Sequence, residues 1–219
     1  MKIYFTAICF LIFNFLNAQN DLRVKEFPGN NKMPLVLYLS GDGGLNKFTN
    51  ALCQGINAKG YEVSCIDSRS YFWKKKTPQQ TTNDLVSYIT TKFKTRVNQE
   101  FVLAGFSFGA DIVPFVANRL PDVIRGKLKS CIAVDIGTST SFEIRLVEML
   151  GASSKAGFEV LPEVNKMGNT KFSTIQSADA KDFPLKAVRL KNYKNTAVPG
   201  NHHFDDNIGN LAVLMISCF

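Results

Sequence analysis

Residues 103–111 read LAGFSFGAD. An apolar, strand-like run over residues 101–104 leads in, and a helix-like run from Ala110 leads out. Between them stands Ser107, with Gly105 two residues before it and Gly109 two residues after. A strand that turns straight into a helix holds the residue at the turn in a strained conformation, where side chains at i−2 and i+2 would collide. Glycine at both places removes those collisions and lifts the serine above the sheet, over the N-terminus of the helix. This is the nucleophile elbow G-x-S-x-G, and its position between strand and helix is what gives the pattern meaning.

The flanking sequence supplies the sheet that such an elbow needs. Residues 34–39 form a continuous apolar run that ends in the glycine-rich loop Ser40-Gly41-Asp42-Gly43-Gly44, as a buried strand would. A helix is expected over residues 47–58 and a strand over 61–67. Thr77-Pro78 opens a helix whose Leu85, Tyr88, Ile89 and Phe93 recur at helical spacing. The elbow helix runs to residue 119 and stops before Pro121; a strand follows over 128–136. Residues 142–150 suit a strand or a short helix, 151–169 read as loop, 172–176 and 187–190 as short strands, and 207–217 as a closing amphipathic helix. Alternation of this kind predicts an α/β fold with a mostly parallel sheet and helices on both faces, with ligands bound at the carboxyl ends of the strands.

A serine hydroxyl needs a base. The chain has two histidines, adjacent at His202 and His203 near the C-terminus. Their scarcity makes the assignment: His202 is preferred, since G-x-H followed by an aromatic suits the loop expected there, and His203 is the alternative. The base needs a carboxylate to orient it, and the expected chain order is serine, acid, histidine. Asp182 and Asp179, in the acidic stretch after the strand at 172–176, are candidates, and Asp135, at the end of the strand after the elbow, is a third. Backbone N–H groups to hold an oxyanion are expected from Phe108 and from Asp42 or Gly43. No G-K-[ST] follows the glycine loop, which removes a phosphate-binding reading. No metal motif or cofactor signature is present, so neither is expected.

The bulk composition frames this chemistry. Residues 1–18 have a short positive start, an apolar core and a small residue, Ala18, where a signal peptidase would cut, so export is expected with a single domain over 19–219. The net charge of +8 suits anionic partners, including a peripheral contact with an anionic membrane; nucleic acid is not expected of an exported chain. Four cysteines lie beyond the leader, Cys53, Cys65, Cys131 and Cys218, and their pairing is open, buried free thiols being a full alternative. Residues 138–170 leave open whether a lid is present.

Three stretches, VLYLSGDGG (36–44), AGFSFGADIVPFVANRLP (104–121) and PGNHHFDD (199–206), together resemble the bacterial virulence protein family VirJ/AcvB, a branch of the α/β-hydrolases. The resemblance runs through nearly all of the chain after the leader. It implies a periplasmic hydrolase domain that cleaves aminoacylated phosphatidylglycerol, releasing lysine from the lysyl form. It also implies Ser107 as nucleophile and His202 within the matching histidine pair. Because the late acidic run keeps its final Asp, it makes Asp182 the preferred acid, although Ser177 and Ala178 depart from the family pattern. Asp42, Asp67 and Asp111 are conceivable partners for the ammonium of such a substrate. A general carboxylesterase or thioesterase, and a non-catalytic module of a secretion apparatus, are the alternative readings.

Overall fold

The computed structural model describes residues 22–144, 157–180 and 182–219. The expected leader, residues 1–18, lies outside the described residues, as do most of the 142–150 stretch and the middle of 138–170.

In chain order the described elements are β1 (Val24–Phe27), β2 (Leu35–Leu39), α1 (Lys47–Asn57), β3 (Val63–Ile66), α2 (Ser68–Tyr71), α3 (Pro78–Phe93), β4 (Phe101–Phe106) and α4 (Phe108–Arg119). Then come α5 (Asp122–Arg125), β5 (Leu128–Val134), β6 (Ser139–Thr140), β7 (Phe158–Glu159), α6 (Val160–Val164), β8 (Phe172–Ser177), β9 (Tyr193–Val198) and α7 (Ile208–Ile216). Seven strands make one sheet in the order β1-β3-β2-β4-β5-β8-β9. Only β1 pairs antiparallel within it; every other neighbouring pair is parallel. β6 and β7 form a separate two-stranded ribbon.

The central strands carry their apolar residues on both faces because both faces are covered. Leu35, Leu37 and Leu39 of β2 join one core cluster with Leu85, Ile89 and Phe93 of α3, Ile112 and Val116 of α4, and Val160 and Val164 of α6. Val36 and Tyr38, pointing the other way, join Leu52 and Ile56 of α1 and Leu211 and Met215 of α7. The alternation of a strand thus splits one sequence run between two layers. At the start of α3, Thr77 accepts from the Gln80 N–H while the Gln80 side chain accepts from the Thr77 N–H, and Pro78 takes the first helical position. That is a full capping box.

Several elements differ from the sequence expectation. β1 and β9 are edge strands whose residues are mostly exposed or half exposed, so neither shows the continuous apolar run that marks a central strand. The short strand expected over 187–190 is absent: a single 3-10 turn, Leu185–Ala187, precedes it, and the outermost strand comes later, at β9. Within the stretch read as loop, α6 forms because Val160 and Val164, one turn apart, fit the core beside α4.

Candidate active site

The loop after β4 is where the chain is most constrained. Ser107 has φ 51 and ψ −121, a conformation that an L-residue holds only under restraint. Its N–H bonds to the Val134 carbonyl of β5, and its own carbonyl accepts the Asp111 N–H, so it is fixed between the sheet and the first turn of α4. The two glycines work differently from one another. A Cβ on Gly105 would sit 2.3 Å from the Gly109 carbonyl oxygen. A Cβ on Gly109 would sit 2.3 Å from the Leu39 carbonyl oxygen and 2.5 Å from that of Ser40. Gly105 therefore lets the helix close onto its own strand, and Gly109 lets it close onto the end of β2.

That second approach brings the glycine loop after β2 beside the start of α4. The loop folds into a turn, with the Gly44 N–H on the Gly41 carbonyl. Ser40 pins it below: its Oγ accepts the Ser68 N–H at 2.9 Å and donates to the Gly41 carbonyl. Phe108 is the first residue of α4, where N–H groups have no partner inside the helix. Asp42 and Gly43 lie in the turn opposite, and the Asp42 side chain is exposed.

One residue beyond Val134 lies Asp135, also at positive φ (51). Its carboxylate is fully committed. Oδ1 accepts the Ser177 N–H at 2.6 Å; Oδ2 accepts the Ser177 hydroxyl at 2.7 Å and meets His202 Nδ1 at 2.8 Å. The Asp135 side chain is 1 % exposed and that of His202 is 45 % exposed. The turn beneath is locked as well, since the Gln176 Oε1 accepts the Ile136 N–H. The His202 ring lies against Phe106, the residue before Ser107, with ring centroids 4.8 Å apart. The ends of β4, β5 and β8 and the loop after β9 thus gather Ser107, Asp135, Ser177 and His202 at one place.

The carboxylate on His202 is therefore Asp135. Asp182 and Asp179, expected there from the sequence, are both exposed and have no hydrogen bond to either histidine. The physical reason is Ser177. It stands at the end of β8, where that expectation required an approach to an acid, and it spends both its donors on Asp135 from the adjacent strand. The sequence signal for this was modest: a Ser at the end of a buried strand, and an Asp directly after the apolar run of β5. His203 instead packs edge-on against Phe48, with centroids 5.0 Å apart, and meets no carboxylate. No hydrogen bond joins the Ser107 hydroxyl to His202 among the described residues.

Two other acids near the mouth are engaged in structure. Asp67 caps α2 through the Ser70 N–H and lies 3.9 Å from Arg23. Asp111, in the first turn of α4, accepts the Gly137 N–H at 2.7 Å. Burial pushes its carboxyl up to about 8, against the smaller opposing effect of that N–H. A cleft of about 630 Å³ opens beside the histidine pair, lined by Asn46, Phe48, Asn201, His203 and Ile208 among others, and stops short of Ser107. Among the described residues no group of His, Cys, Asp and Glu could hold a metal ion.

Solved structures place this architecture. The chain superposes on a lipase-esterase related protein from Clostridium acetobutylicum with a TM-score of 0.66 at 14 % identity, over 91 % of this chain and 100 % of that one. A putative non-heme bromoperoxidase, BpoC, from Mycobacterium tuberculosis gives 0.65 at 14 % identity, over 90 % and 95 %. The thioesterase domain from the curacin biosynthetic pathway gives 0.58 at 14 % identity, over 89 % and 99 %. Likeness at this identity establishes the α/β-hydrolase fold and leaves the chemistry to the site. No curated protein matches the chain. The family model described as bacterial virulence protein (VirJ) matches residues 33–219, which take in every element from β2 to α7 and all of the residues gathered at the site. The chain belongs to the bacterial virulence protein VirJ family.

Proposed function

We propose that this protein is a serine hydrolase of carboxylic esters, with Ser107 as nucleophile, His202 as general base and Asp135 as the residue that orients it. The observation that carries the reading is the 2.8 Å contact of His202 Nδ1 with a buried carboxylate, one strand from an elbow serine held at positive φ. A carboxylate on Nδ1 keeps the proton there, which leaves Nε2 free to accept one and stabilises the imidazolium that results. The proposal adds the contact of Nε2 with the Ser107 hydroxyl. Such contacts are often loose without substrate and tighten when it binds.

Ser107 Oγ attacks the ester carbonyl and its proton passes to His202 Nε2. The N–H of Phe108, with that of Asp42 or Gly43, holds the oxyanion, and the start of α4 adds its dipole. The imidazolium gives its proton to the leaving alcohol. Water, deprotonated by the same nitrogen, then frees the acyl group. A fluorophosphonate probe is expected to label the wild-type protein and not Ser107→Ala, with His202→Ala labelled far more slowly. Equal labelling of wild type and Ser107→Ala would remove the reading.

We further propose that the chain is exported and acts on an aminoacyl ester of an anionic phospholipid, lysyl-phosphatidylglycerol. Family membership and the leader-like start of the sequence support this. Vesicles carrying that lipid are expected to release lysine with the wild type and not with Ser107→Ala. Turnover of nitrophenyl esters or thioesters with the lipid untouched would favour a general esterase, and absence of all labelling a binding module.

A further inference from the structure

The turn between α2 and α3 carries four residues that the proposed chemistry leaves unused: Trp73, Lys74, Lys75 and Lys76. It stands at the same end of the sheet as Ser107, since α2 follows directly on the carboxyl end of β3. Phe72 anchors the turn. Its ring is fully buried and meets edge-on that of Phe108, the residue after Ser107, with centroids 5.0 Å apart. The Phe72 carbonyl accepts the Ile144 N–H, and the Lys76 N–H donates to the Phe142 carbonyl. Lys76 lays its ammonium over the Tyr71 ring. Beyond this fixed base the next side chains point outward: Trp73 is 50 % exposed, and Lys74 and Lys75 are exposed beside it.

Trp73 is the only tryptophan in the sequence, and its indole is the only exposed ring of Phe, Tyr or Trp among the described residues. A large amphipathic ring left half in water on a well-packed rim suits a surface that is apolar on one side and wet on the other. An indole with lysines beside it has the chemistry of the membrane–water interface: the ring sits at headgroup level and the ammonium groups meet anionic lipid. Two arginines extend the positive charge along the rim. Arg69 is exposed next to the glycine loop, and Arg23 is largely exposed despite its contact with Asp67; exposed Asp42 and half-buried Glu143, between Phe142 and Ile144, are opposing charges.

We propose that Trp73, Lys74 and Lys75 form a docking edge that seats the protein on the headgroup layer of an anionic bilayer, with the mouth around Ser107 turned toward it. The sense of this for catalysis rests on the ester-hydrolase reading, while the docking itself does not. Ser107→Ala protein mixed with vesicles of equal parts phosphatidylglycerol and phosphatidylcholine should shift its tryptophan emission to shorter wavelength. Brominated acyl chains should quench it, and high salt should reverse the shift. Replacing both Lys74 and Lys75 by Gln should weaken co-sedimentation roughly 25-fold, about fivefold for each charge removed. Gln at Lys171, Lys191 and Lys194, which line a cleft at the opposite end of β8 and β9, should change it little. Emission unmoved by anionic vesicles would overturn the proposal. So would an equal shift with pure phosphatidylcholine, loss of binding in the Lys171/Lys191/Lys194 variant, or a lipid-free shift that grows with protein concentration, which would assign the edge to self-association. Turnover of a soluble nitrophenyl ester should be unchanged by Lys74→Gln and Lys75→Gln. Docking without any ester turnover in the wild type would sink the hydrolase reading and leave the docking edge standing.

Discussion

Asp135 and Ser177 show how much a single side chain decides. Under the proposed mechanism Asp135→Asn loses the charge that holds the His202 tautomer, and kcat/KM is expected to fall by about 10³-fold. Asp182→Asn is expected to stay within about twofold, as an exposed side chain away from the reacting atoms. Steady-state rates on one soluble ester compare the two, and the opposite ranking would return the acid's role to Asp182. Ser177→Ala keeps the backbone donor to Asp135 but removes the hydroxyl; a drop of about tenfold in kcat with KM unchanged is expected for loss of such a supporting hydrogen bond. Asp111 gives a test in pH. Its carboxyl is raised by burial to about 8, so between about pH 4, where an unfolded Asp ionises, and about pH 8 the folded chain binds the extra proton. Its contribution to stability is therefore full at low pH and is lost as pH rises toward 8. Asp111→Asn, which can still accept from Gly137, is expected to flatten that part of the melting-temperature profile. At this scale the sequence makes Ser107 and His202 legible, one through flanking glycines and the other through the rarity of its type. It does not single out Asp135. The choice among three aspartates depends on which strand end the histidine loop reaches, and local pattern carries no trace of that distance.

At the scale of elements, the elbow is a problem of clearance between backbones. Gly105→Ala and Gly109→Ala each put a methyl within 2.3 Å of a carbonyl oxygen, and neither backbone can yield without moving β2, β4 or α4. A loss of about 3 kcal/mol is expected from each. Gly209→Ala in α7 meets nothing within 4 Å and is expected to gain up to about 1 kcal/mol from helix propensity alone. Urea midpoints at constant m separate the two outcomes. The central strands and the long helices are readable because each buries a full face and so imposes its period on the sequence. β9 escapes because it is the last strand of the sheet. It pairs only with β8, half its residues meet water, and the run Tyr193–Val198 mixes Lys, Asn and Thr with its apolar residues. α6 escapes because its five residues offer a single turn of apolar spacing.

Across the whole molecule the two cores carry the thiols with them. Cys53, Cys65, Cys131 and Cys218 are all buried and unpaired. Burial pushes the Cys53 and Cys131 thiols well above their usual range, so they stay protonated and inert. A thiol reagent is expected to modify these four only as fast as the fold opens, and reductant should leave the melting temperature unchanged; rapid reaction of folded protein would contradict the packing. The placement of the acid has a further consequence for how this architecture can vary. Under the proposed mechanism, with Asp135 carried by the strand next to the elbow, the crossover that leaves β8 after Ser177 has no reactive group to deliver. Its exposed turn around Asp179 is then free to drift in length and composition, while Phe183 beyond it stays fixed in the core. A short epitope inserted between Asp179 and Ala180 should leave ester turnover at the parental rate, and the same graft between Ile136 and Gly137 should abolish it.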